Sequence, residues 1–219
     1  MSLRGAAWVA ALLCALLAAS GASAQEPSAN VRLVAAARAG DGVGMARALA
    51  EGATPNARNR LGETALVIAL KSKRPDLALQ MIAAGADVNV AAANGVTPLM
   101  AAAHAGYAPI ARELLAKGAD FQAEDRLKKT AMTYAAGQGH TDVVVLLLGA
   151  GVDPNAIDAH ELTALMWAAG YGHTDTVEAL LKAGARTDLK DDRGKSALDI
   201  ARDGNFDATV KLLVAAGKT

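Results

Sequence analysis

Apolar residues fall into short blocks of two kinds that alternate along this chain, with polar turns between them. The first kind opens on Thr or Ser and continues as TALVIAL, TPLMAAA, TAMTYAA, TALMWAA and SALDIAR, beginning at Thr64, Thr97, Thr130, Thr163 and Ser196. A Thr or Ser just ahead of an apolar run is a helix N-cap, because its oxygen accepts a hydrogen bond from an orphan backbone N–H. These blocks therefore predict a first helix that ends near Gly40, Gly106, Gly139 and Gly172, where glycine can take the left-handed conformation that closes a helix. The second kind follows Thr141-Asp142 and Thr174-Asp175, which are expected to cap it, and carries apolar residues at helical spacing. A polar stretch such as Asn56 to Glu63 completes the unit and predicts a β-hairpin-like loop that projects sideways.

The blocks keep one register. The five Thr or Ser positions are each 33 residues apart, and Gly52, Gly85, Gly118, Gly151, Gly184 and Gly217 recur at the same interval. So do the apolar pairs Ala48-Leu49, Met81-Ile82, Leu114-Leu115, Leu147-Leu148, Leu180-Leu181 and Leu213-Val214. Three registers agreeing over six copies mark an internal repeat. Hydrophobic residues make up 53% of the chain but aromatics only 3%, so the core must be filled by Ala, Leu, Val and Ile. Such a core suits helices packed in thin layers.

These features resemble the ankyrin repeat, whose period is 33 and whose hallmark is a Thr-Pro-Leu-His-x-Ala segment. Only Thr97-Pro98-Leu99 keeps the proline here and no copy keeps the histidine, while Gly139-His140 and Gly172-His173 fit the pattern. The resemblance implies an all-α solenoid of about six helix-pair repeats with short hairpin loops, near residues 31–61, 62–94, 95–127, 128–160, 161–193 and 194–217. Val31 stands at the Thr position of a first, incomplete unit, and Arg32, Arg38, Arg202, Asp203, Asp207 and Lys211 supply the polar faces that terminal units need.

Ahead of the repeats, Arg4, the apolar run Ala6 to Ala19 and Ala22-Ser23-Ala24 read as a secretory signal cut before Gln25, leaving a loose leader over 25–30. The run is short for a permanent anchor, although a retained anchor is the alternative. Cys14 lacks the small preceding residue of a lipobox and is the only cysteine, so the processed chain would be thiol-free and compatible with an oxidising compartment. No stable membrane anchor is expected after cleavage.

Catalysis needs a nucleophile, base or metal set that converges, and none is predicted. His140 and His173 recur with the repeat, about 10 Å apart by helix-layer spacing, which is too far for shared metal coordination. His104, near the exposed end of a first helix, and His160, in a hairpin loop, have no Asp or Glu at a spacing that makes a catalytic partner. Tyr134 and Trp167 share a slot with Ile68, Ala101 and Ile200 and are expected to fill core volume. Neither cofactor nor metal is expected.

A solenoid of this kind offers a concave surface of hairpin loops and exposed first-helix residues. The non-repeating residues there are the candidates for partner contact: Arg58, Arg60, Leu61, Asn94, Arg126, Leu127, His160 and Arg193 in loops, and Lys71, Ser72, His104, Gln138 and Tyr171 on helices. Leu61 and Leu127 beside Arg suit a binding rim, or else pack against the neighbouring loop. From Arg32 to Arg74 there are eight basic and three acidic residues, so the N-terminal end is basic; Lys71, Lys73 and Arg74 with Arg58 and Arg60 either steer an acidic protein surface or form a solvated face. Nucleic acid would require a continuous basic stripe with stacking aromatics, which is missing.

The expected protein is a monomeric, non-catalytic protein-binding scaffold. Its Ala-rich, Arg-containing composition and compact signal point to a bacterium, and export then implies the periplasm of a diderm cell or the medium. It is similar to small exported bacterial ankyrin proteins, some of which are associated with protection against peroxide alongside a catalase. A secreted effector or toxin-neutralising protein acting on a host or neighbouring cell is the alternative.

Overall fold

A computed structural model of the chain describes residues 27–217. The signal, its cleavage site and the start of the leader lie outside the described residues. Among those described, twelve helices form six antiparallel pairs: α1 (Ala29–Ala39) with α2 (Gly42–Ala50), α3 (Ala65–Lys71) with α4 (Pro75–Ala83), α5 (Pro98–Ala105) with α6 (Ala108–Ala116), α7 (Ala131–Gln138) with α8 (Thr141–Gly149), α9 (Ala164–Gly170) with α10 (Thr174–Lys182), and α11 (Ala197–Asp203) with α12 (Asp207–Ala216). The first helices α1, α3, α5, α7, α9 and α11 pack on one another in order, and α4, α6, α8, α10 and α12 form a second layer behind them. The architecture is the expected all-α solenoid.

The capping residues act as the spacing required. The side chains of Thr64, Thr97, Thr130, Thr163 and Ser196 accept from the backbone N–H of Val67, Met100, Thr133, Met166 and Asp199. Each such cap stabilises its helix by about 1 kcal/mol. Behind the caps, the fully buried Leu66, Leu99, Leu165, Leu114, Leu147 and Leu180 carry the hydrophobic driving force, about 1.5–3 kcal/mol each. Paired alanines such as Ala102-Ala103 and Ala135-Ala136 are buried with almost no exposed surface, so adjacent first helices approach closely without large rings.

Four boundaries differ from expectation. Helix α1 begins at Ala29 rather than Val31, because Ser28 caps it and accepts from Val31 N–H; the expected leader therefore contributes Ala29 and Asn30 to the first repeat. Asn30 Oδ1 also accepts from Thr54 N–H at 2.8 Å. Helix α9 stops at Gly170, before Gly172. In the chain after Lys71, no glycine is present at the equivalent position, and Lys73 itself takes the left-handed conformation with φ 56°. The caps of α8 and α10 are His140 and His173, not the threonines. Thr141 and Thr174 are the first helical residues, and their hydroxyls bond Thr176 and Thr209 of the next repeat at 2.8 and 2.9 Å.

The recurrent histidines tie repeats together. His173 Nε2 donates to Gly137 O at 3.2 Å, and its ring lies where a Cβ on Gly139, at φ 72°, would come within 2.5 Å. Gly139 is thus required for both its backbone angle and its lack of a side chain. His140 makes the equivalent bond to His104 O at 3.1 Å, and Arg74 Nη1 bonds Gly40 O at 2.9 Å.

Candidate protein-binding surface

Each hairpin is built on one polar side chain. Asp125 Oδ1 accepts from the N–H groups of Leu127 and Lys129, Asp158 Oδ1 from His160 and Leu162, and Asp191 Oδ1 from Arg193 and Lys195, all at 2.8–3.1 Å. Asn59 does the same for Leu61 and Glu63. The arrangement follows the Asx turn, in which a short side chain mimics a backbone acceptor. Ala92 takes this place in the remaining loop, where Asn94 Oδ1 accepts from Val96 N–H instead.

The second oxygen of these carboxylates fixes the neighbouring helix. Tyr134 OH donates to Asp125 Oδ2 at 2.7 Å, and Trp167 Nε1 donates to Asp158 Oδ2 at 2.8 Å. Both rings are half-buried and pack against the core, as expected of an apolar slot, and in addition each anchors a hairpin carboxylate. Burial, then the Asp125 hydrogen bond and charge, pushes the Tyr134 phenol far above its ordinary value. Trp167 stacks on Tyr171 with centroids 6.2 Å apart, and Lys129 Nζ lies 4.1 Å from the centre of the Trp167 ring.

The predicted contact residues separate into three groups. Arg58, Arg60 and Leu61 meet Val31, Val34 and Arg38 of α1 around a hollow of about 630 Å³. Lys71, Asn94 and His104 meet Met100, Ala101 and Tyr134 around a second, of about 300 Å³. Arg126, Leu127, His160, Tyr171 and Arg193 are exposed further along the stack and join neither. Leu61 and Leu127 are 61% and 62% exposed, so they do not pack against neighbouring loops.

Several candidates are engaged within the fold. Arg193 forms an ion pair with the buried carboxylate of Asp191 at 2.6 Å, and Arg58 Nη2 donates to Ala91 O at 2.7 Å. Arg74 pairs with Asp76 at 2.9 Å, which removes it from the steering charge. Lys71 contacts Glu63 at 2.5 Å. Burial pushes the Glu63 carboxyl up, but the hydrogen bonds from Lys71 and Asn59 outweigh it and leave it below the ordinary value. Arg60, Lys73 and Arg126 make no ion pair among the described residues. His160 has the acidic neighbour that its local sequence concealed: Nδ1 lies 3.1 Å from Asp192 Oδ2, 32 residues ahead in the next hairpin.

A family model described as ankyrin repeats (3 copies) matches residues 33–125, 74–158 and 132–219. The chain belongs to the ankyrin-repeat family. No curated protein matches it. Ankyrin repeats indicate a protein–protein interaction scaffold. Among the described residues no helix is long and apolar enough to cross a membrane, and no three metal-ligating side chains lie together.

What sequence reasoning missed is the contribution of small residues. Ala101 on α5 sits where four other units place Ile68, Tyr134, Trp167 and Ile200 and the end unit places Ala35, and the second hollow opens beside it. The aligned slots carry the signal, since Ala101 is the smallest residue between Ile68 and Ile200 in that register.

Proposed function

We propose that the chain is an exported bacterial scaffold that holds a partner protein in the periplasm through its hairpin tips and first helices. The observation that carries this reading is the exposed Leu61 and Leu127 beside the unpaired Arg60 and Arg126, an apolar and cationic rim that the fold itself does not use. Arginine is among the residues that carry binding energy at interfaces, and an exposed leucine beside it adds apolar area for a partner to bury. The export signal read from residues 1–24 supplies the compartment, and the resemblance to exported ankyrin proteins supplies a role in protecting a partner, including during oxidative stress.

Expression of the full chain in a diderm bacterium tests both parts. The processed form should begin at Gln25 and appear on osmotic shock, and envelope crosslinking should capture one partner. The combined Arg60→Glu, Leu61→Ser and Leu127→Ser variant should lose that partner at unchanged Tm. Retention of the unprocessed chain in the inner membrane would overturn soluble export, and accumulation in the medium would favour the secreted-effector reading. Undiminished capture by the variant would remove the rim from the interface.

A further inference from the structure

One slot of the repeat separates the units. The first-helix position that holds Ile68, Tyr134, Trp167 and Ile200 in four units holds only a methyl group at Ala35 of the end unit, where it is exposed, and at Ala101 within the stack, and the hairpin preceding Ala101 has Ala92 in place of the Asn or Asp that supports the others. A hollow of about 300 Å³ opens there, floored by Met100, Ala101 and Val96 and walled by Tyr134. That volume is at the lower end of sites that enclose an organic group.

The rim is cationic and rich in donors. Lys71, Lys73, Asn94 and His104 surround the opening, and no carboxylate lines it. Glu63 partly neutralises Lys71, whereas Lys73 makes no ion pair among the described residues. Asn94 uses its side-chain oxygen within the loop, which leaves the amide N–H groups to donate outward. Lys73 stands where Gly40, Gly106, Gly139 and Gly172 stand in other repeats and keeps their left-handed backbone at φ 56°. A side chain there costs about 1 kcal/mol relative to glycine. Lys73 lines the same hollow as His104.

We propose that this hollow is the anchor site of the groove, taking one hydrophobic side chain flanked by carboxylates from an acidic protein segment. The apolar floor accepts the side chain, and Lys73, Lys71 and the Asn94 amide meet the carboxylates. The proposal rests on the reading of the hairpins and first helices as the partner-binding face.

The repeat supplies its own controls for the test. Ala101→Trp fills the hollow with the residue that the same slot tolerates at Trp167, and Lys73→Gly restores the residue used at Gly106 and Gly139. Both variants should keep the wild-type Tm within a few degrees, with Lys73→Gly equal or higher. The probe is an isotope-edited NMR titration with a synthetic peptide carrying one Phe between two Glu residues, beside a Lys-flanked counterpart and phenylacetate. The acidic peptide should shift the Met100 methyl, Ala101 and His104 resonances. Its Kd should weaken at least ten-fold in Ala101→Trp and about three- to ten-fold in Lys73→Gly, and the Lys-flanked peptide should leave the spectrum unchanged.

Absence of shifts with the acidic peptide, or full binding by Ala101→Trp, would overturn the anchor. Equal binding of the Lys-flanked peptide would overturn the charge argument, and phenylacetate binding as tightly as the peptide would make the hollow a small-molecule site instead. Should Ala101→Trp prove unfolded, Lys73→Gly decides the question alone. Envelope capture that still depends on Arg60, Leu61 and Leu127 while the hollow is silent would overturn only the anchor; loss of both would remove the partner-binding reading as well.

Discussion

The two halves of the groove face are built on the same backbone and differ in what they place at one position. Around α7 and α9 the slot holds Tyr134 and Trp167, whose polar atoms reach Asp125 and Asp158 and lock helix to hairpin. Around α5 it holds Ala101, the hairpin has no such lock, and a hollow with a cationic rim is left open. The hairpin tips differ in the opposite sense. Gly62 and Gly95 let the next loop approach closely enough for Leu61 O and Asn94 O to accept from Ala93 and Arg126 N–H at 2.9 and 3.1 Å. A Cβ on Gly95 would lie 2.8 Å from Asp125 Cα. The corresponding tips further on are Lys128 and Glu161; no backbone bond joins Leu127 to Ala159, and the His160–Asp192 link is longer at 3.2 Å. One half therefore has a backbone bond at both of its loop junctions and is open at its helix face, and the other keeps one such bond and adds the side-chain locks of Tyr134 and Trp167. In a repeat protein the scaffold can be shared while local packing decides where a ligand enters.

The strongest challenge to this comparison lies in the shared core. Leu99→Ala and Leu165→Ala remove equivalent, fully buried side chains, and each should lower stability by about 2–5 kcal/mol in urea unfolding. Values that differ by more than about 2 kcal/mol would mean that the halves do not share one cooperative core.

A smaller effect sharpens the difference at the slot itself. Tyr134→Phe should cost about 1–2 kcal/mol, because it leaves the Asp125 oxygen without its phenol donor. The raised pKa adds a signature in pH. Folding holds the phenol protonated, so its contribution is full below tyrosine's ordinary value of about 10 and is lost as pH rises through the higher folded value. Stability of the wild type should therefore fall above about pH 10 more steeply than that of Tyr134→Phe, measured by urea midpoints.

The smallest effect concerns His104. Burial first, then the charges of His140 and Lys73, hold its imidazole below the ordinary histidine value of 6.5. The neutral ring is favoured on folding, so this contribution is present above the unfolded value and lost as pH falls through the folded one. An NMR titration should place His104 below 6.5, and Lys73→Gly should raise it. No change in the variant would show that Lys73 does not face the hollow.

Most of the fold was legible because its physics is local and repeats. Thr64, Thr97, Thr130, Thr163 and Ser196 cap helices through their own side chains, and the first residue of each apolar pair is buried at every period. Sequence and structure part where a residue's partner lies one repeat away: the Thr141 hydroxyl bonds Thr176 rather than capping its helix, Arg74 bonds Gly40, and His160 meets Asp192. The contact surface was only partly legible: Arg60, Leu61 and Leu127 are exposed as expected, whereas Arg58 and Arg193 brace the loops.

The sequence by itself determined the period, the helix pairs, the capping residues and the family resemblance, since each depends on spacing along one short segment. Only the tertiary structure decided which charges remain unpaired and that the methyl group of Ala101 opens a hollow. A cavity belongs to no single segment; it exists only once α3, α5, α7 and the hairpin around Asn94 have packed and left unfilled the volume that Tyr134 and Trp167 occupy elsewhere.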